Sequence, residues 1–468
     1  MEKMEYKLQP QPQAAPLKPR LIIHGGAGNI SRKTMTQEQY AEYRSALLEI
    51  VTRTNHYMSH PKPASAPSAL DIATHAVTLL ENNPLFNSGH GAVFTRDGVN
   101  ELEASVMVSR GYAKRGVGVT GLRRVRNPIQ LAKAMLEHGD ADLRHNVHRL
   151  SATSPCEETG AEKGEEEKEI NVPSAQGHTL LHGATAETLA RKYGLEFVEP
   201  AYFYTQRRWD EHVRGLEREK DQDQDQNGAF ATWSPDEYLP QGTCGAVALD
   251  ADGVVCAATS TGGMTNKLTG RIGDTPIVGA GFWAEEWTEA ARASSSSSAW
   301  ASGVRRYLSV PGPAVELSSS LRSLLADCLP TPFVYAPLTV RQPGASSLRT
   351  TRSVAFSGTG NGDSFLRISA VRSVAAAARW GGLPGAHALS RIAGRGGELE
   401  KSAGDRWGKT GEGEGGMIGI EYTVTRDESG QVIDARSEIL QDHNCAGMFR
   451  AWINDNGEAE MRIWGPED

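Results

Sequence analysis

The chain is 468 residues long, more than one compact core usually holds, which leaves two or three domains or one large domain with insertions. With 39% hydrophobic and 23% charged residues, and no apolar run near the roughly 20 residues that a bilayer-crossing helix needs, the composition excludes a membrane span. A net charge of −8 without a clustered basic stretch excludes a nucleic-acid groove, and five scattered cysteines (Cys156, Cys244, Cys256, Cys328 and Cys445) point to reduced, packing thiols rather than a zinc or redox site.

Met1 to Arg20 is polar and Pro/Gln-rich, without the apolar stretch of a secretory signal, and a cytoplasmic location is the expectation. Pro19 to Ile23 reads as an apolar strand that runs into His24-Gly25-Gly26-Ala27-Gly28, where glycines permit a tight turn or close backbone approach. Helical spacing of Tyr40, Tyr43, Ala46, Leu47, Ile50 and Val51 predicts an amphipathic helix over Gln37 to Met58. A second helix is predicted from Ala69 to Leu80, broken by Asn82-Asn83-Pro84. Ala92 to Phe94 and Glu103 to Val108, on either side of the turn Asp97-Gly98, read as a strand hairpin. From about Gly139 to Gln241 the character changes, with an acidic tract at Glu157 to Glu169 and a Gln/Asp alternation at Asp221 to Gln226. Such stretches bury too little apolar surface to offset chain entropy, so a mobile linker is expected, interrupted by a helix near Thr185 to Tyr193.

Order returns at Gly242. Gly245 to Asp250, the turn Asp252-Gly253, and Val254 to Ala258 read as strand, tight turn and strand. A low-complexity insertion is expected from about Glu286 to Arg352, including the run Ser294 to Ser298. Strand signal resumes at Ser353 to Phe356, and a helix follows from Ser364 to Arg379. Arg391 to Gly415 reads as an exposed Gly-rich loop, and Met417 to Val424 with Val432 to Glu438 as a second hairpin.

A long polar linker that ends on Gly242-Thr243, directly before a buried strand, carries chemistry. A threonine hydroxyl is a weak nucleophile unless a base stands beside it, and its own α-amine is such a base once the preceding peptide bond is cut. With a pKa of about 7.7 to 8.0 that amine is poised near working pH. Gly at the position before the nucleophile leaves the scissile peptide free of side-chain obstruction. On these residues alone the pair reads sooner as a turn before a strand.

The surroundings decide. Ala257 to Gly281 contains Thr261-Gly-Gly-Met-Thr-Asn-Lys-Leu-Thr-Gly-Arg271-Ile-Gly-Asp274. With His24 to Gly28, Leu80 to Phe94, Ser357-Gly-Thr-Gly360 and Gly447 to Trp452, in that order, the sequence resembles the plant-type asparaginase and isoaspartyl-peptidase family of amino-terminal-nucleophile hydrolases. The resemblance implies an α+β fold, a four-layer αββα sandwich of two sheets with helices outside. It implies self-cleavage between Gly242 and Thr243, giving fragments 1–242 and 243–468 that share one core and pair into a dimer of cleaved units. Thr243 would be the nucleophile, with Thr261 beside its amine or hydroxyl and Asn87 as a supporting polar group. Arg271 would take the substrate α-carboxylate and Asp274 its α-ammonium, while Ser357, Gly358, Thr359 and Gly360 would supply the oxyanion hole and substrate contacts. Ser357 stands where the family pattern usually has Thr, and Asn361 where it has Glu. No cofactor is implied for catalysis. A structural sodium ion would be held by the backbone carbonyls of Leu80, Glu81, Asn83, Phe86, Ser88 and His90.

The substrate is then a small molecule or dipeptide: L-asparagine, a β-aspartyl peptide, or both. A glycosylasparaginase-like enzyme or a threonine endopeptidase is the alternative within hydrolases, and an uncleaved, non-catalytic binding protein the alternative outside them. Ala403 to Thr410 is a loosened phosphate-loop pattern without the leading Gly or the preceding strand, and carries no nucleotide site. Cys244 follows the nucleophile in a strand, so its side chain is expected on the opposite face as packing.

Overall fold

The computed structural model of the chain describes residues 17–33, 35–60, 66–149, 171–224, 242–290 and 348–465. The first strand, β1 (Arg20–Gly28), buries Leu21, Ile22 and Ile23 completely, because apolar side chains cover it on both faces. Helix α1 (Gln37–Ser59) opens on a capping box in which Thr36 Oγ1 accepts from Gln39 N at 3.2 Å and Gln39 Oε1 accepts from Thr36 N at 3.0 Å. Ser68 and Asp71 repeat the device at the start of α2 (Ala69–Glu81), and Asp250 Oδ2 accepts from Ala69 N at 2.9 Å. The first half continues through β2 (Leu102–Val108), β3 (Gly116–Leu122), α3 (Pro128–Arg149), β4 (Leu180–His182), α4 (Gly183–Lys192) and α5 (Gln206–Gln224). Beyond Gly242 come β5 (Cys244–Leu249), β6 (Val255–Thr261), β7 (Phe282–Ala290) and β8 (Arg349–Gly360), then α6 (Gly362–Ile368), α7 (Ala370–Arg379), α8 (Gly385–Ala393) and α9 (Glu398–Lys401). The chain closes with β9 (Gly415–Arg426), β10 (Val432–His443), β11 (Gly447–Ile453) and β12 (Ala459–Arg462).

Among the described residues the strands form an eight-stranded sheet, ordered β12-β11-β1-β5-β6-β2-β3-β4, and a four-stranded sheet, ordered β10-β9-β8-β7. All pairings are antiparallel except β3 with β4. Strand alternation sorts the side chains. Leu21, Ile23, Ala246 and Ala248 pack with Leu47, Leu70, Met135 and Leu189 from α1 to α4. Their neighbours Ile22, Val247 and Leu249 pack instead with Phe282, Ala355, Ile418 and Ile420 of the smaller sheet. On that sheet's other face, Val354, Phe356 and Met417 pack with Phe365, Val371, Val374 and Leu389 of the later helices. The fold is α+β, and among the described residues no helix is long and apolar enough to cross a membrane.

Several local expectations need correction. Ala92 to Phe94 is not a strand, and β2 pairs with β3 and β6 instead of closing a hairpin on it. The cause is Asn100, whose Nδ2 donates to the carbonyls of Ala92 and Val93 at 3.0 Å each and so takes the place of a ladder. The region from Gly139 to Gln241 is not one linker: residues 171–224 hold β4, α4 at the place of the expected helix, and α5. Its acidic tract, Glu157 to Glu169, lies outside the described residues. The insertion is shorter than 286–352, because Glu286 pairs with Ser353 and Ala290 with Arg349 in the β7–β8 ladder, and the run Ser294 to Ser298 lies outside the described residues. The helix over Ser364 to Arg379 is two helices, divided at Ser369 with φ 47°. Arg391 to Gly415 is not simply an exposed loop, since it includes the end of α8, all of α9 and the buried Leu399 and Ala403. A short 3-10 turn, Gly404–Arg406, occupies the phosphate-loop lookalike, with no strand leading into it.

Candidate active site

Thr243 is buried at the head of β5, the strand held between β1 and β6. Carrying the β5–β6 ladder one step past Cys244 and Ser260 sets Thr243 opposite Thr261. The hydroxyls of Thr243 and Thr275 share a hydrogen bond of 3.3 Å. Thr261 Oγ1 accepts from Gly263 N at 3.0 Å, which folds the backbone into a turn directly after the strand. Asn87 braces that turn: Nδ2 donates to Gly263 O at 2.7 Å, and its own carbonyl accepts from Gly262 N at 3.1 Å.

The need for glycine before Thr243 comes from backbone packing. A Cβ on Gly242 would stand 2.0 Å from Gly26 Cα and 2.4 Å from Ala27 N. Gly26 has φ +122°, which only glycine adopts readily, so the loop after β1 and the residue before Thr243 lie one against the other.

Beneath them lies a buried polar chain. His24 Nε2 and Ser357 Oγ are 2.7 Å apart, and Ser357 Oγ and Thr259 Oγ1 2.9 Å, all three residues with no exposure. Burial drives the His24 imidazole down to about 3, against an opposing pull from the Thr243 backbone, so it is neutral at working pH. A Cβ on Gly245 would meet Ser357 Oγ at 2.2 Å and His24 Nε2 at 2.3 Å. Gly245→Ala should therefore lower unfolding stability by about 1–3 kcal/mol in urea melts, whereas an unchanged midpoint would mean that the polar chain contributes nothing.

Ser357 and Gly358 both have their donors taken by neighbours in the fold. Ser357 is engaged by His24 and Thr259, while Gly358 N donates to Gly281 O at 2.8 Å and its α-carbon faces Phe365. Thr359 Oγ1 instead accepts from Ala27 N at 3.2 Å, the same nitrogen that crowds Gly242. Because N–H directions alternate along a strand, Gly360 N points the same way as Gly358 N, but past the end of β7.

Arg271 Nη2 donates to Asp363 Oδ1 at 3.0 Å and is about one fifth exposed. Asp274 is buried, and its Oδ2 has no hydrogen-bond partner among the described residues. Burial pushes its carboxyl up to about 7 against the pull of Arg271, with Glu103 and Asp363 adding to the rise. A Cβ on Gly362 would meet Asp274 Oδ1 at 2.7 Å and Arg271 Nη2 at 3.1 Å. Gly362 and Asp363 thus sit at the Arg271–Asp274 pair, and Asn361 does not: its Oδ1 caps α6 by accepting from Ser364 N at 3.0 Å.

The loop after α2 turns tightly. Gly89, at φ +53°, would place a Cβ 2.4 Å from Glu81 O. The carbonyls of Asn83, Phe86 and Ser88 each accept one backbone N–H, which leaves each a second lone pair for a hard cation, while Leu80 O accepts from both Asn82 N and Asn83 N. The side chains are used otherwise. Glu81 is buried, accepts from Ser260 Oγ at 2.7 Å and Ile129 N at 3.0 Å, and is pushed up to about 7 by burial. The ring of His90 packs on Tyr202.

Thr275 and Glu103 were missed in the sequence. Glu103 Oε1 accepts from Gly273 N at 3.2 Å and Thr120 Oγ1 at 3.1 Å, so it anchors the loop that carries Arg271 and Asp274. The available signal was a lone carboxylate in the mostly apolar stretch of β2, which is buried throughout. Cys244 is buried among α2-side residues, and burial pushes its thiol well up, as suits a packing role.

Comparison with known proteins matches residues 17–166 and 170–296 to a family described as Asparaginase. The isoaspartyl peptidase of Escherichia coli (strain K12) is 39% identical over 264 residues, covering 56% of this chain and 67% of that one. A plant-type L-asparaginase of Pyrococcus abyssi is 31% identical over 266 residues, 57% of this chain and 70% of its own. An isoaspartyl peptidase/L-asparaginase of Xenopus laevis is 29% identical over 269 residues, 58% and 67% respectively.

Proposed function

The chain belongs to the asparaginase family, and on that footing we propose that it matures by cutting its own backbone between Gly242 and Thr243 and works through the freed Thr243. It is a hydrolase of aspartyl amides, acting on L-asparagine and on β-aspartyl (isoaspartyl) peptides. The observation that carries the Thr243 assignment is its buried hydroxyl at the head of β5, against Thr275 and across the ladder from Thr261. In maturation Thr243 Oγ attacks the Gly242 carbonyl carbon, the peptide becomes an ester as the C–N bond breaks, and water hydrolyses that ester to free the amine.

In turnover the amine accepts the proton of the Thr243 hydroxyl while the oxygen attacks the side-chain amide carbon. The C–N bond then breaks, ammonia or the peptide amine leaves with that proton, and water releases aspartate from the ester. Arg271 binds the α-carboxylate and Asp274 the α-ammonium. We place the oxyanion at the Thr359 hydroxyl and Gly360 N–H rather than at Ser357 and Gly358, whose donors are engaged elsewhere.

The two fragments, 1–242 and 243–468, stay in one core, because β5 lies between β1 and β6 and after the cut β1 belongs to the first fragment. The three apolar clusters favour the four-layer αββα arrangement. Backbone carbonyls from Leu80 to His90 would hold a sodium ion that stiffens the loop behind Asn87. Self-association as a dimer of cleaved units should appear in gel filtration as about twice the precursor mass of 50.5 kDa, and elution as a monomer would refute it. Asparagine, a β-aspartyl dipeptide and glycosylated asparagine, assayed side by side, test the substrate class: turnover confined to the glycosylated compound would move the chain to the glycosylasparaginase-like alternative.

A further inference from the structure

Helix α5 belongs to the stretch expected as spacer, yet it is docked at two places beside the site. At its first turn Arg208 is almost wholly buried: Nε donates to Gly91 O at 2.9 Å, and Nη1 to Glu211 at 2.8 Å. One turn on, His212 and Asn266 meet reciprocally, with His212 Nδ1 2.5 Å from Asn266 Oδ1 and Asn266 Nδ2 donating to His212 O at 3.0 Å. Asn266 adopts φ 59°, and its N–H donates to Phe94 O at 2.9 Å. Gly215 makes the contact sterically feasible, since a Cβ there would stand 2.5 Å from Asn266 Nδ2. Glycine in a helix interior is otherwise disfavoured relative to alanine, so the helix gives up propensity where Asn266 enters.

Asn266 closes the same loop that begins at Thr261. Within it Gly263 N donates to Thr261 Oγ1, Lys267 N donates to Met264 O at 3.2 Å, and Lys267 Nζ donates to Glu101 O at 3.0 Å. Helix α5 thus grips, through Arg208, the loop that carries Asn87 and, through His212, the loop that follows Thr261. We propose that α5 is a positioning element for hydrolysis, in which His212 and Gly215 seat Asn266 and thereby hold the Thr261 turn against Thr243 after the backbone is cut. This inference rests on the assignment of Thr243 as nucleophile. After the cut, α5 lies on the first fragment and Asn266 on the second, so the contact also bridges the two products.

Gly215→Ala separates positioning from mere folding, because the alanine improves the helix while its Cβ displaces Asn266. Per cleaved chain, kcat for asparagine or a β-aspartyl dipeptide should fall on the order of tenfold or more, with KM little changed, because Arg271 and Asp274 are untouched. The melting temperature should hold. Unchanged kcat at unchanged melting temperature would overturn the proposal. Should the variant melt early, the His212 pair decides: His212→Ala should be slow and His212→Asn, which keeps a side-chain donor, largely restored, while equal rates for the two would overturn it. Thr243→Ala is measured alongside. If it retains activity the nucleophile assignment fails, and if it is inactive while Gly215→Ala matches the parent, only the role of α5 fails.

Discussion

Thr243→Ala should run as one chain of 50.5 kDa on a denaturing gel and lose amide hydrolysis by on the order of 10⁴-fold or more, whereas the parent should separate into two fragments at Gly242. The loss is this large because a single residue supplies both the nucleophilic oxygen and, once freed, the amine that deprotonates it. Alanine removes the oxygen and so prevents the cut that would release the amine. The fold should survive, since among the described residues the Thr243 hydroxyl makes one hydrogen bond, to Thr275, and the β5 ladder starts at the next residue. Thr243→Ser keeps an oxygen at the same place and should retain cleavage at a reduced rate.

Asp274→Asn should cost about 10²-fold in kcat/KM, because a charge-assisted contact to the substrate α-ammonium becomes a neutral one. The parent's pH profile should bear the mark of the same carboxyl. Burial holds Asp274 near 7 in the free protein, so kcat/KM should rise with pH through 7 as the carboxylate forms, and that limb should vanish in the variant. Stability moves the opposite way. A carboxyl whose folded pKa lies above the unfolded value of about 3.9 keeps a proton in the folded chain that the unfolded chain releases, so stability is lost as pH rises from about 4 to 7. Asn does not ionise, and Asp274→Asn should therefore be more stable than the parent at pH 8, by about 1–3 kcal/mol, with the two converging below pH 4. Thermal melts at the two pH values check the sign. Equal stability at pH 8 would mean that Asp274 is already well solvated or paired.

The legible parts of the fold were those where one physical signal acts alone. Tyr43, Leu47, Ile50 and Val51 announce α1 by their spacing, and Asn82 to Pro84 stop α2 where they should. The Asp252-Gly253 turn, with Gly253 at positive φ, marks the β5–β6 hairpin. Signals failed where a distant partner supplies the order. Ala92 to Phe94 looks like a strand, yet the Ala92 and Val93 carbonyls are satisfied by the Asn100 side chain and that of Phe94 by Asn266 N, which no periodicity reveals. Helix α5 is charged enough to pass for linker, and what fixes it is a buried arginine reaching the carbonyl of a residue 117 positions earlier.

The site was partly legible for the same reason. Thr243, Thr261, Arg271 and Asp274 stand in a patterned run, whereas Thr275 and Glu103 act through contacts across 32 and 170 residues. Ser357 and Thr359 have the same local chemistry and lie two residues apart on one face of β8, so only the positions of His24 and Ala27 tell which hydroxyl lies on the Gly242 side.

The most direct test follows freshly folded parent protein by mass spectrometry while its hydrolysis of asparagine or a β-aspartyl dipeptide is recorded. Activity should grow in step with the two fragments divided at Gly242, with the second beginning at Thr243. Full activity in a preparation that is still one unbroken chain would contradict the account.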